Sequence, residues 1–159
     1  MPNSTHPART VAVPAHLGWR LLALLYDAVI ALALVFVISA LALAVKPDHR
    51  PVEPGSIAAA VEFFALWATL GTYAVVSWRR GGQTIGMKPW RLKVLTAEGK
   101  QAPWRRLILR YTVVSLSLGS TLLWCLFDAE RRGVHDIVSG TLLVRLQPTP
   151  VSPDSPSTD

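Results

Sequence analysis

An arginine and an aspartate seven residues apart, Arg20 and Asp27, stand in an otherwise apolar stretch, "GWRLLALLYDAVIALALVFVISAL". A carboxylate near the middle of a lipid-embedded helix costs about 2.5–3.5 kcal/mol on insertion scales, and such charges mark ion paths or proton relays by default. They also fix helix packing when they find a partner. Seven residues is nearly two helical turns, so Arg20 and Asp27 share a face. At 1.5 Å per residue they lie roughly 10 Å apart along the axis, too far for direct contact. Each therefore needs a partner on another element. Arg110, three residues into a later apolar stretch, is the candidate for Asp27. A second adjacent pair, His135-Asp136, follows Arg131 and Arg132, and the sequence favours a local hydrogen-bond or salt-bridge role for Asp136, with Arg131 or Arg132 as candidate partners. Glu62 lies early in its own apolar stretch, near the opposite surface, where it can reach water.

Other chemistries find little support. Gly81 and Gly86 have the spacing of a phosphate-binding loop, but Met87, Lys88 and Pro89 follow where the lysine and hydroxyl should stand. Pro89 also opposes the helix that such a loop must begin. His6, His16 and His49 lie in tail or proline-rich segments, so no ligand set for a metal gathers around His135. Cys125 is the single cysteine, which excludes an intrachain disulfide and reads as an apolar filler. No nucleophile–base arrangement stands out, so we expect no enzyme, no cofactor and no bound metal.

Three apolar runs must position the charges: about 21–45, 57–78 and 107–127. Each reaches the roughly 20 residues that cross a hydrocarbon core of about 30 Å. A chain of 159 residues cannot bury three helices that are apolar all round, and its 16% charged content lies below the roughly 25% of soluble domains. The expected class is an all-α membrane protein with three transmembrane helices. The first run is too long for a signal-peptide core of about 7–15 residues and reads as an uncleaved span.

Residues 1–17 read as a mobile polar tail, and 147–159, rich in Pro and Ser, as a disordered one. Between the second and third runs lies a basic loop, with eight Lys and Arg between Arg79 and Arg106 against the single acid Glu98. It is expected on the cytoplasmic side. Arg79, Arg80, Lys88, Arg91 and Lys93 are the expected contacts to anionic lipid headgroups, each worth about 1 kcal/mol. Trp78, Trp90, Trp104 and Trp124 suit an interfacial aromatic belt, and Gly81-Gly82 a helix end. With three simple crossings the carboxyl end falls outside.

A competing observation concerns two short strand-like segments. "WRLKVLTAEGK" reads as a strand entering a turn at Ala97-Glu98-Gly99, and "GTLLVRL" as a second strand. Isolated strands do not persist. If these two pair, they share one side of the membrane and the third run becomes a re-entrant hairpin. Its length of about 21 residues favours one crossing. Ser115 and Gly119 form a small-xxx-small face that would allow close helix contact and self-association.

Taken together, "WRLLALLYD", "GGQTIGMKPWRLKV" and "LWCLFDAERRGVHDIVSGTLLV" resemble the RDD family of small bacterial integral membrane proteins, named for one Arg and two Asp. The resemblance runs from about Gly18 to Arg145, so 18–146 is the expected transmembrane domain. Pro89 and Trp90 stand where members usually carry aliphatic residues. The resemblance implies a multi-pass protein of the inner membrane, with Arg20, Asp27 and Asp136 as its named positions. It also implies transport of a solute, with cation/proton exchange suggested for some members. We therefore expect transport of an ion or small solute using the intramembrane Arg and Asp residues. The alternative is a non-transporting membrane scaffold or regulator. Expected partners are the lipid bilayer, further copies of the chain and an unidentified solute or cation, not nucleic acid.

Overall fold

The structure is a computed structural model that describes residues 10–45, 52–117, 124 and 132–148. Its elements run β1 (Thr10–Pro14), α1 (Leu17–Val45), α2 (Ile57–Gly81), β2 (Leu92–Thr96), α3 (Trp104–Leu116), α4 (Val134–Ser139) and β3 (Thr141–Pro148).

Helix α1 has 29 residues and α2 has 25, or roughly 44 and 37 Å at 1.5 Å per residue. Both exceed the hydrocarbon thickness, so each has turns left over for the headgroup layer. Their lipid-crossing character rests on composition and on exposure. The most apolar window of α1 buries nothing inside the protein, and Phe36 is 74% exposed. So large an apolar surface is stable only against lipid or another chain. Ser56 begins α2, its hydroxyl accepting from the Ala59 N–H at 3.1 Å. Gly82 ends it at φ 73°, a left-handed conformation open to glycine, and its N–H donates to the Trp78 carbonyl at 2.8 Å.

The three strands form one antiparallel sheet in the order β1-β3-β2. β2 and β3 pair as their sequences suggest, with Leu92 opposite Arg145 and Thr96 opposite Thr141. The turn after β2 carries Gly99 at φ 73°. β1 departs from expectation. Thr10–Pro14 lay within the segment read as a mobile tail, yet it pairs along the other edge of β3. Its Thr-Val-Ala-Val pattern gains order from that edge, which a local reading cannot see.

The sheet revises the topology. All three strands lie on one side, since hydrogen-bonded strands cannot be separated by a bilayer. Helix α1 starts beside the sheet and α2 ends beside it. The chain between Thr96 and Thr141 must also begin and end there, so the single crossing expected of the third run does not fit. In its described part that run is α3, only 13 residues long. Residues 118–123 and 125–127 of that run, Gly119 and Cys125 among them, lie outside the described residues. So do Arg131, the first nine residues and the tail beyond Pro148.

The buried core sits at the sheet end of the helices. Leu92, Val94 and Leu143 on the inner sheet face meet Ala15, Ala23, Val75, Met87 and Leu107. α3 joins α2 where the Tyr111 hydroxyl donates to the Trp67 carbonyl at 2.7 Å, and where the Trp67 indole N–H donates to Ser115 at 3.1 Å.

Candidate functional site

Buried charges gather at the same end of the molecule. Arg20, in the first turn of α1, is 4% exposed; Arg110 on α3 is 4% exposed and Asp136 on α4 is 1% exposed. The Arg20 Nη1 donates to Asp136 Oδ2 at 2.5 Å, and the Arg110 Nη1 donates to Asp136 Oδ1. The Gly133 N–H, at the start of α4, donates to Oδ2 at 2.9 Å. Asp136 thus caps its own short helix while holding two others. Arg110 also donates to the Thr141 hydroxyl at 2.8 Å and lies over the Trp78 ring, 5.4 Å from its centroid. Arg20 Nε donates to the Ala15 carbonyl at 3.2 Å, anchoring the turn out of β1. One carboxylate therefore ties α1, α3, α4 and, through Thr141, β3.

The electrostatics match this geometry. Burial alone would push the Asp136 carboxyl up, but the guanidiniums of Arg110 and Arg20 hold it far below the usual carboxylate range. His135, beside it, is pushed down to about 4, first by burial and then by the positive charge of Arg110. A carboxylate so compensated stays ionised and cannot exchange protons near neutral pH. Its chemistry is that of a clamp.

Asp27 sits in different surroundings. It is half-buried on α1, and three neutral donors meet it. The Tyr73 hydroxyl of α2 donates to Oδ1 at 3.0 Å, the Thr84 hydroxyl to Oδ2 at 2.5 Å, and the Gly86 N–H to Oδ1 at 3.0 Å. The Tyr73 oxygen in turn accepts from the Ile85 N–H at 3.2 Å. Gly86 can approach because it has no Cβ. One built there would lie 2.5 Å from the Ala23 carbonyl oxygen and 2.7 Å from Asp27 Cγ. Gln83 secures the loop from the other side, its amide donating to the Leu92 carbonyl at 2.6 Å. "GGQTIG" is thus a helix cap followed by a loop that wraps one carboxylate, and no phosphate cradle.

Two sequence-based pairings are corrected here. Asp27 and Arg110 do not pair, because Arg110 is taken by Asp136 and Asp27 by the Gln-Thr-Ile-Gly loop. Asp136 does make a local hydrogen bond, but to the Gly133 N–H, and the charged partners found for it come from α1 and α3. Tyr73, Thr84 and Thr141 were not singled out in the sequence. The Gly-Gln-Thr motif was the available signal for Thr84. Glu62 accepts from the Ser39 hydroxyl at 2.8 Å, a link between α2 and α1. Of the expected headgroup residues, Arg80, Lys88 and Arg91 are exposed, while Arg79 and Lys93 are half-buried. Among the described residues no group of three or more His, Cys, Asp or Glu could hold a metal.

An apolar helix pair too exposed for water, joined to a small sheet by a charge cluster at one end, defines a membrane protein. Residues 14–140 match the RDD family, and the chain belongs to that family of membrane proteins. No curated protein and no solved structure matches it.

Proposed function

We propose that this RDD-family chain is a multi-pass subunit of a bacterial inner-membrane assembly that moves a proton or small cation. Asp27 is the group that takes up the charge. The observation that carries this reading is the contrast between its two named carboxylates. Asp136 is compensated by two guanidiniums, whereas no cationic side chain meets Asp27 among the described residues. Beside the Gly86 N–H, two hydroxyl oxygens meet its carboxylate, from Tyr73 on α2 and Thr84 in the loop that follows. Hard oxygen ligands suit a small cation or a proton. Two helices enclose no path, so the passage would lie between copies of the chain, on the exposed faces of α1 and α2. Proton-coupled Na⁺ or K⁺ flux in proteoliposomes, lost in Asp27→Asn with the oligomer intact, is the expected result. Full flux in that variant would remove Asp27 from the mechanism.

A second reading is a non-transporting scaffold or regulator. The clamp favours it, because Asp136 spends its bonding on joining four elements. Co-purification of one stoichiometric partner, with no flux for any cation tried, would select it. An enzyme is the reading with least to support it, since among the described residues we find no nucleophile and base brought together.

A further inference from the structure

The inner face of the sheet carries one residue that does not belong in a core. Cross-strand partners share a face. Leu92 pairs with Arg145, Val94 with Leu143 and Thr96 with Thr141. Leu92, Val94, Thr96, Leu143 and Thr141 are all buried, so this face turns toward the helices and the bilayer. Arg145 ends that row. Its guanidinium stacks over the Trp19 ring of α1, 4.0 Å from the centroid. Trp19 packs against Trp90 at 5.3 Å, and Trp90 meets the exposed Tyr26 edge-on at 6.0 Å. Such an aromatic group marks the level of the membrane–water interface.

A cavity of about 520 Å³ opens beside this stack, lined by Pro89, Arg91, Arg145, Leu146 and Gln147. Both charged side chains on its wall are arginines. No carboxylate meets either of them among the described residues, and the buried Arg145 Nε has no hydrogen-bond partner. Among the described residues Arg91 is the one non-glycine residue with positive φ, at 55°. Its carbonyl accepts from the Leu146 N–H at 2.9 Å and its N–H donates to the Lys88 carbonyl at 3.1 Å. Those two bonds hold an uncommon backbone shape that places Arg91 on the wall it shares with Arg145.

We propose that Arg91 and Arg145 form a binding site for a phosphate group, with the phosphodiester of an anionic lipid headgroup as its ligand. Two planar guanidiniums match phosphate oxygens through forked N–H pairs. Arg145, held flat by Trp19, is already oriented. Gln147 supplies a neutral side-chain amide. The cavity lies at interface depth, where a lipid phosphate sits and the acyl chains can run along the exposed apolar side of α1.

The test is equilibrium binding to the purified full chain in a nonionic detergent. The probes are dioctanoyl phosphatidylglycerol, inorganic phosphate and an uncharged dioctanoyl glycerol, with bound ligand read by native mass spectrometry. One saturable site for the phospholipid, weakened about tenfold by Arg91→Gln and by Arg145→Gln, is expected. Lys100→Gln, in the exposed turn after β2, should leave it unchanged. Arg145→Lys keeps charge without the fork and should weaken binding severalfold. Arg91 lies on an exposed turn, so its variant keeps the test alive if replacing Arg145 unfolds the protein. Inorganic phosphate that binds with the same dependence on both arginines would identify a soluble phosphate as the source. Phospholipid binding without phosphate binding identifies the lipid. Non-saturable binding, an equal loss in Lys100→Gln, or uncharged lipid binding as tightly would overturn the site.

Discussion

Asp136 and Asp27 are two carboxylates at one end of the same helix bundle, yet they are stabilised by opposite means. Asp136 is almost wholly buried and draws two guanidiniums and a backbone N–H. Asp27 is half-buried and draws two hydroxyls and a backbone N–H. Full charges brought together in a low-dielectric site are costly to separate. Neutral donors leave no charge stranded when the carboxylate is replaced, because a hydroxyl can turn from donor to acceptor. The first arrangement holds elements together, and the second is the one on which the proposed exchange at Asp27 rests.

Breaking the clamp should have the largest effect. Asp136→Asn removes the charged carboxylate that lies between the buried Arg20 and Arg110 guanidiniums. Removing one partner from a buried pair typically costs about 3–5 kcal/mol. Unfolding in detergent, followed by circular dichroism, should show a loss of that size. Arg110→Gln should cost less, since Arg20 still meets the carboxylate. If Asp136→Asn unfolds within about 1 kcal/mol of the wild type, the clamp is not what joins α4 to α1.

Next in size is the pH dependence of the clamp. Burial and the neighbouring arginines push His135 down to about 4 from its ordinary 6.5. Between those values the unfolded chain binds a proton that the folded one refuses, so stability falls as pH drops through that window. At 1.36 kcal/mol per pH unit the loss approaches about 3 kcal/mol and levels off below pH 4. Asp136 acts in a separate range. Its depressed folded value makes its contribution complete above about 3.8, and the loss begins only below that. His135→Gln should therefore flatten the curve between 6.5 and 4 and leave the acid limb in place. An unchanged slope in that variant would show that the imidazole titrates freely.

How much of this was written locally in the chain differs between the two sites. The helix holding Asp27 follows from an apolar run, and β2 and β3 from their turn signals, whereas α4 around Asp136 lies beyond the apolar runs and was not read as a helix. The Gly-Gln-Thr-Ile-Gly segment announced a helix end, but its grip on Asp27 did not show, because Thr84 lies 57 residues from its partner. The Arg20–Asp136 bond joins residues 116 apart. It depends on β3 returning to the same side as α1, which the apolar run from 107 to 127 argued against by length alone. Depth in the membrane made Arg110 a reasonable partner for Asp27. The competition was decided by which carboxylate had neutral donors of its own. β1 was illegible for a similar reason, since its order comes from β3, at the far end of the chain.

Gly86→Ala probes the loop rather than the charge. Its Cβ would press on the Ala23 carbonyl and on Asp27, so the loop must back away from α1. Overpacking of this kind costs about 1–3 kcal/mol. The same shift lengthens the Gly86 N–H bond to Asp27. Reduced thermal stability, with the Arg20–Asp136–Arg110 cluster unaffected by the pH criterion above, is expected. An unchanged melting temperature would mean the loop does not rest on α1 as described.

Asp27→Asn should change stability least, and that is what separates the two carboxylates. An asparagine oxygen in the Oδ1 position still accepts from Tyr73 and Gly86. Its amide nitrogen would then face Thr84, whose hydroxyl can rotate to accept. No charge is left stranded, since among the described residues no guanidinium depends on Asp27, and an uncharged side chain inserts into lipid at lower cost. The remaining loss is the charge-assisted part of three hydrogen bonds, so the net change should stay within about 1 kcal/mol. Unfolding of this variant beside Asp136→Asn measures the difference directly. A loss as large as that of Asp136→Asn would make Asp27 a second clamp and withdraw the transport reading. A near-neutral change joined to lost flux would place its function in charge exchange, with folding assigned to Asp136.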